Sequence, residues 1–145
     1  AYIQSVPNSL YAVEKLQGFK KALKENNIEY NEKHLLKAKN GNISDDSLRE
    51  FLLSNPELDG IITSDDTTAQ KVITVLREMG KKVPEQIAVI GFDDISVAKE
   101  YGLTTIRQHK LELGSRAVEM LNRLIDGEKV DSKVLPTELI IRDST

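Results

Sequence analysis

The chain has 145 residues, 39% of them hydrophobic and 30% charged, which is the composition of one ordinary globular domain. Its formal net charge of −3 argues against a nucleic-acid-binding surface, because such a surface needs clustered lysine and arginine. The sequence contains no cysteine, which excludes disulfides and thiolate metal sites, and no apolar run approaches the roughly 20 residues that cross a bilayer.

Strands and helices alternate through the first part of the chain. Residues 1–3 predict a strand, and residues 7–9, which are Pro, Asn and Ser, predict a turn and a helix cap. Apolar residues recur at helical spacing between 10 and 26 and predict an amphipathic helix. A weak strand is predicted at 34–38. Ser44 is expected to cap a second helix, because two aspartates follow it and favour the positive end of the helix dipole.

The middle of the chain predicts a second strand-and-helix unit. Residues 60–63 form a short apolar run that is typical of a buried strand. A helix is predicted at 67–79, with Asp65 as its N-cap and Gly80 as the left-handed residue that ends it.

The stretch 87–94 predicts the central strand. It is almost wholly apolar and rich in β-branched residues, which is typical of a strand buried on both faces of a parallel sheet. Gly91 predicts a tight turn, and Asp93 and Asp94 place two carboxylates beyond the carboxyl end of the strand. Ligands bind at that edge of open parallel sheets, so the segment predicts both a core strand and a polar contact.

The last part of the chain predicts a short helix at 96–100, an extended segment at 103–106 and a long helix at 111–126. A final strand is predicted at 133–142, where Pro136 favours an edge position. We count about four helices and five or six strands. Their alternation predicts an α/β fold with a doubly wound, mostly parallel sheet and helices on both faces, in the three-layer arrangement of flavodoxin-like proteins.

Sequence patterns of catalysis are almost absent. The chain has no glycine-rich phosphate loop and no Gly-x-Ser-x-Gly elbow, and His34 and His109 stand alone, without a partner at metal-ligand spacing. The paired aspartates at 65–66 and 93–94 could hold Mg²⁺ in a phosphoryl-transfer enzyme, although an N-cap role explains Asp65 more simply. We therefore predict no catalytic residue, no metal and no cofactor, and keep a Mg²⁺-dependent enzyme as a remote alternative.

Five motifs in order resemble the LacI/GalR family of bacterial transcription regulators. They are LQGF at 16–19, DGIITSDD at 59–66, MGKKVPEQIAVIGFDD at 79–94, LTTIRQ at 103–108 and LG at 113–114. The resemblance implies a periplasmic-binding-protein-like effector domain, in which two α/β subdomains close on a small molecule. It further implies that residues 1–108 belong to the C-terminal subdomain, and that residues 109–145 return to the N-terminal subdomain and end in the last strand.

The same resemblance implies ligand-binding residues and a dimer face. Asp93 matches an acidic residue that accepts hydroxyl hydrogen bonds from the effector, which suits a carboxylate; the alternative is a turn residue that caps the next helix. Lys15 stands where the family usually has arginine, and it could equally be a solvated surface lysine. The remaining candidates are Ser64, Tyr11 and Gln108 for the ligand, and Ala69, Ile73 and Tyr101 for the dimer face, where core packing is the alternative.

The implied partners are a small-molecule effector, which we expect to be a carbohydrate, and a second copy of the chain in a homodimer. Operator DNA would be bound only through a helix-turn-helix that precedes this segment, and we expect the chain to lack that module and most of the first subdomain. The implied location is the cytoplasm, with no membrane contact. The alternative function is a periplasmic sugar-binding component of a transporter, which shares the fold.

Overall fold

The computed structural model describes residues 1–7, 9–39 and 41–145, so the predicted turn residue Asn8 lies outside the described part of the chain. Within that part, the strands are β1 Tyr2–Gln4, β2 Leu35–Lys37, β3 Gly60–Thr63, β4 Ala88–Phe92, β5 Thr104–Gln108 and β6 Thr137–Ile140. The α-helices are α1 Leu10–Glu25, α2 Asp45–Ser54, α3 Asp66–Glu78, α4 Ser96–Glu100 and α5 Lys110–Ile125.

The strands form one sheet in the order β2-β1-β3-β4-β5-β6. The first five are parallel, and β6 pairs antiparallel with β5 at the edge. Parallel neighbours need crossover helices, which is why strands and helices alternate in the sequence. The predicted mostly parallel, doubly wound α/β sheet is confirmed, and β6 lies at the edge that Pro136 indicated.

The two faces of the sheet carry different helices. On one face, the Tyr2 ring stacks on Phe19 of α1, with ring centroids 5.3 Å apart. On the other face, Ile3 joins the main core, to which α2 and α3 contribute buried side chains such as Leu48 and Leu76. Each large aliphatic side chain that becomes fully buried contributes about 1.5–3 kcal/mol, so the core on this second face is a major source of stability.

The helix caps follow the predicted chemistry. The side chain of Ser44 accepts a hydrogen bond from the Ser47 amide, and Asp65 accepts one from the Thr68 amide. Gly80 has a φ of 72°, the left-handed conformation expected just after a helix. These three predictions are confirmed, because each cap is decided by residues within one helical turn.

Gly91 does not make the predicted tight turn. It lies within β4, and the turn that follows is made by Asp93 and Asp94, with φ values of 105° and 49°. Positive φ is strained for residues other than glycine, at a cost of order 1–3 kcal/mol each. The surrounding structure must therefore hold this turn in place.

Two of the predicted dimer-face residues belong to the core. Ala69 and Ile73 are both 0% exposed and pack among the core side chains between α3 and the sheet. A side chain without exposed surface cannot contact a second subunit, so that part of the prediction is wrong. Tyr101 is half-buried, and its position on a dimer face stays a prediction.

Helix α5 has no buried residue. Its apolar side chains Leu111, Leu113, Leu121 and Ile125 are 54% to 92% exposed. A helix of this length normally buries one apolar side, so α5 presents an uncovered apolar face in this structure. In the described part of the chain, no helix is both long and apolar enough to cross a membrane.

Candidate functional site

An open depression of about 950 Å³ lies at the carboxyl ends of the strands. The residues predicted to bind a ligand all line it, namely Tyr11, Lys15, Ser64, Asp93 and Gln108. They come from four separate stretches of the sequence, and the parallel sheet brings these stretches together at the carboxyl edge of its strands. The structure therefore assembles the predicted set at one place.

A second hollow, of about 410 Å³, lies at the amino ends of the strands. Its lining includes the apolar side chains Phe19, Leu23, Ile62 and Ile90. Ligands of open parallel sheets bind at the carboxyl ends of the strands, and the polar side chains of Lys15, Asp93 and Gln108 all line the depression at that edge. We therefore take the carboxyl-edge depression as the candidate site.

Asp93 is positioned by two donors that meet the same oxygen. Gln108 Nε2 donates a hydrogen bond to Asp93 Oδ1 at 2.7 Å, and Lys110 Nζ lies 3.7 Å from that oxygen. The backbone amide of Asp93 donates to the Ile106 carbonyl at 2.8 Å. Within the described residues, Asp93 Oδ2 accepts no hydrogen bond. This oxygen is therefore a hydrogen-bond acceptor at the edge of an open site.

Lys15 is not the solvated lysine of the alternative interpretation. Its side chain is half-buried, and its ammonium donates to the Ser64 carbonyl at 3.0 Å and lies 3.5 Å from the centroid of the Phe92 ring. Burial lowers the pKa of Lys15, while Asp93 and Asp65 oppose that effect. The Lys15 ammonium is thus a hydrogen-bond donor whose position is fixed by Ser64 and Phe92, close to the Asp93 carboxylate.

The floor of the site is a cluster of hydroxyl groups around Asp65. Asp65 Oδ2 accepts from Ser5 Oγ at 2.5 Å, from Ser64 Oγ at 2.9 Å and from Thr68 Oγ1 at 3.0 Å. Burial alone would raise the pKa of Asp65, but these hydrogen bonds outweigh it and lower the pKa. Ser64 is 8% exposed, so it supports the floor and offers a ligand little surface. Tyr11, at 73% exposed, stands at the rim.

Asp94 does not line the depression and connects the turn to β5 and to the segment that follows β6. Its side chain is 5% exposed and accepts hydrogen bonds from Arg107 Nε at 2.7 Å and from Arg142 Nη2 at 2.6 Å. Arg142 also donates to the Leu103 carbonyl. Burial would raise the pKa of Asp94, but the two guanidinium groups outweigh it and lower the pKa. Arg142 therefore anchors the turn, and no motif in the sequence indicated it.

The lowered pKa of Asp94 predicts loss of stability in acid. An unfolded aspartate has a pKa of about 3.9, so the stabilising pair is fully present above that pH and is lost as the pH falls through the lower folded-state pKa. In the Asp94→Asn variant this acid dependence should shrink, and neutral stability should fall by about 3 kcal/mol because two guanidinium groups lose their buried anion. Urea unfolding of both proteins between about pH 2 and 7 measures this. Equal pH profiles of the two proteins would show that the contacts of Asp94 with Arg107 and Arg142 contribute nothing to stability.

Three of the four paired aspartates, Asp65, Asp66 and Asp94, are held by hydrogen bonds inside the protein. Asp65 is saturated by hydroxyl donors, and Asp66 is completely buried beneath β4. Across residues 1–7, 9–39 and 41–145, no group of three or more histidine, cysteine or acidic side chains could hold a metal ion.

A family model described as a periplasmic binding protein-like domain matches residues 1–145. The chain belongs to this family. A transcriptional repressor of arabinose metabolism from Halalkalibacterium halodurans is 32% identical over 95% of the chain, and the regulator CelR from Thermobifida fusca is 32% identical over 99%. The matches span 40% of the first relative and 44% of the second, so the chain covers less than half the length of these relatives.

Solved structures of the family agree with the fold. A complex of the transcriptional regulator CelR with cellobiose superimposes with a TM-score of 0.87 and 31% identity, over 100% of this chain and 46% of that chain. An Escherichia coli sugar-binding regulator of the LacI family, complexed with phosphate, has a TM-score of 0.86 and 30% identity, over 100% of this chain and 54% of that chain. The resemblance to LacI/GalR regulators that the five motifs indicated is confirmed.

Proposed function

We propose that this periplasmic-binding-protein-like chain is the effector-sensing part of a LacI/GalR-type transcription regulator and binds a small carbohydrate at the carboxyl-edge depression. The observation that carries the proposal is the Asp93 carboxylate, which is held by Gln108 and Lys110 through one oxygen and offers the other to the depression. A carboxylate oxygen can accept hydrogen bonds from neighbouring sugar hydroxyls. Two relatives support a sugar, since one is named for arabinose metabolism and one is solved with cellobiose.

The roles that we propose for the other residues follow from their chemistry. Lys15 and Gln108 donate to hydroxyl oxygens of the sugar, and Tyr11 contacts it from the rim. Ser64 acts mainly through its carbonyl, which fixes the Lys15 ammonium. We propose no catalytic residue, metal or cofactor, because the related proteins are named as transcription regulators and the hydrogen-bonding groups here suit binding.

We also propose how the chain fits into a complete regulator. Residues 1–108 form the C-terminal subdomain, and residues 109–145 pass to the N-terminal subdomain and return as β6. The uncovered apolar face of α5 supports this division, because it would pack on that other subdomain. The regulator would be a cytoplasmic homodimer that binds operator DNA through a helix-turn-helix outside this segment. The transporter alternative is not favoured, since the relatives are regulators.

Calorimetric titration of the complete protein with L-arabinose, cellobiose and D-ribose tests the proposed function. We expect one of these sugars to bind with a single site per chain, and to change the affinity of the protein for its operator DNA, because the two sites are thermodynamically linked. Mg²⁺ is titrated separately as the control for the enzyme alternative. Absence of sugar binding, with stoichiometric Mg²⁺ binding that Asp93→Ala abolishes, would overturn the proposal and favour an enzyme.

A further inference from the structure

We infer that Asp66 is a positioning residue of the site, which holds the turn that presents Asp93 although its own side chain never reaches the depression. The inference rests on the proposed function for its consequence in sugar binding. Its structural basis is independent of any ligand. Asp66 is the first residue of α3, directly after the cap Asp65, and is 0% exposed.

The carboxylate of Asp66 connects the turn between β4 and α4 to strand β5. Its Oδ2 accepts the backbone N–H of Ile95 at 2.9 Å, and its Oδ1 accepts the hydroxyl of Thr105 at 2.5 Å. Thr105 Oγ1 in turn lies 3.4 Å from the backbone N of Asp94, which donates to it. The carboxylate thus holds Ile95, the residue after the turn, directly. It holds Asp94, the second residue of the turn, through the Thr105 hydroxyl.

Gly91 makes room for this carboxylate. A Cβ atom at position 91 would collide with Asp66 Oδ1, and it would lie 2.7 Å from Leu103 Cδ2. Glycine inside an otherwise apolar strand marks a close approach of another group, and here that group is an acid from the neighbouring helix. The space beside β4 is therefore shaped around Asp66.

The turn needs such an anchor because its backbone is strained. Asp93 and Asp94 both have positive φ, at 105° and 49°, and neither is glycine. Asp94 is held from one side by Arg107 and Arg142, as described above. Asp66 holds the turn from the helix side, so the direction of the Asp93 carboxylate depends on a residue that no sugar touches.

The burial of Asp66 is costly, which argues that its contacts serve a purpose other than stability. No cation pairs with it in the described part of the chain, and the charged groups that act on it are Asp93, Asp94 and Lys15. Burial raises the pKa of Asp66, its hydrogen bonds from Thr105 and Ile95 partly offset this, and the two aspartates raise it further. A buried acid without a cation lowers stability while it is ionised.

Because the pKa of Asp66 is raised, folding stability and sugar affinity should change in opposite directions with pH. Folding stability should rise as the pH falls through the folded-state pKa of Asp66, because the folded form takes up a proton that the unfolded form does not. Sugar affinity should fall over the same range, because a protonated carboxyl cannot accept both hydrogen bonds. Stability and affinity would move together if Asp66 were merely a structural residue.

The Asp66→Asn variant of the complete protein tests the inference, with whichever sugar of the panel binds. The amide oxygen can accept from Ile95, but the NH2 group would then face Thr105, whose hydroxyl loses its acceptor. We therefore expect affinity to fall about tenfold while urea stability is kept or increased. The Asp46→Asn variant is the matched control, since Asp46 is an exposed aspartate in the first turn of α2. Thr105→Ser should keep wild-type affinity, and Thr105→Val should lose it.

Amide NMR of the sugar-free protein gives a readout that needs no ligand. The amide shifts of Asp94 and Ile95 should titrate with Asp66 in the wild type and lose this titration in Asp66→Asn. Unchanged affinity in Asp66→Asn, or affinity and stability lost together, would overturn the inference. If no sugar binds at all, the proposed function fails. The amide shifts still test the positioning role of Asp66 in that case, because identical titration of these amides in the wild type and in Asp66→Asn would overturn it.

Discussion

Replacing Asp93 by glycine is expected to weaken sugar binding by about 100-fold, since two hydrogen bonds to a charged acceptor contribute about 1.5 kcal/mol each. The loss is large because Gln108 and Lys110 would also lose the anion that orients them. Calorimetric titration of the complete protein with the sugar that the wild type binds measures this. Glycine is the informative substitution, because it accepts the φ of 105° at this position without strain.

Two further variants distinguish the loss of the carboxylate contact with the sugar from an effect on the conformation of the turn. Asp93→Ala should lose the same affinity as Asp93→Gly and be less stable than that variant by about 1 kcal/mol, since alanine is strained at positive φ and glycine is not. Asp131→Gly removes an exposed aspartate from the segment between α5 and β6, and it should leave the affinity unchanged. Wild-type affinity in Asp93→Gly would make Asp93 a turn residue only.

Much of the fold could be predicted because its signals are local. The caps Ser44 and Asp65 each act within one helical turn, and the alternation of apolar strands with amphipathic helices defines a parallel α/β sheet. Interactions between distant positions could not be predicted in this way. Arg142 contacts Asp94 across 48 residues, and nothing near either residue indicates the pair.

The candidate site was predicted mainly through the family resemblance. The resemblance indicated Lys15 and Asp93, and the structure brings both to one depression. It did not reveal that Ser5 reaches Asp65 from 60 residues away, because a polar loop gives no sign of its partner. Ile73 shows the opposite error, since an apolar residue on a helix indicates burial without saying whether a core or a second subunit covers it.

Gly91 could have been the sequence clue to Asp66. The tight-turn interpretation treated this glycine as a source of backbone freedom, yet its position in β4 reflects the space that a carboxylate needs. Sequence alone cannot distinguish these two reasons for a glycine. The distinction can be tested directly.

Gly91→Ala should destabilise the fold by about 3 kcal/mol, the upper part of the range for inserting a methyl group into a packed core. The added Cβ would collide with Asp66 and lie 2.7 Å from Leu103 Cδ2, and Leu103 belongs to the same buried core as the apolar side chains of α3. Urea unfolding at neutral pH measures the loss. Gly114→Ala is the control, because a Cβ there meets nothing within 4 Å in α5 and should stabilise the helix by about 0.5–1 kcal/mol.

A double-mutant cycle assigns the Gly91→Ala loss to the carboxylate. If Asp66 is the group that the new methyl meets, Asp66→Ala should relieve part of the clash, and the double variant should be more stable than the sum of the single losses by about 1 kcal/mol or more. Additive losses would mean that Leu103 alone makes the site intolerant. Because the same carboxylate holds the turn behind Asp93, strong coupling here would connect the packing of β4 to the direction of the residue that we propose to bind the sugar.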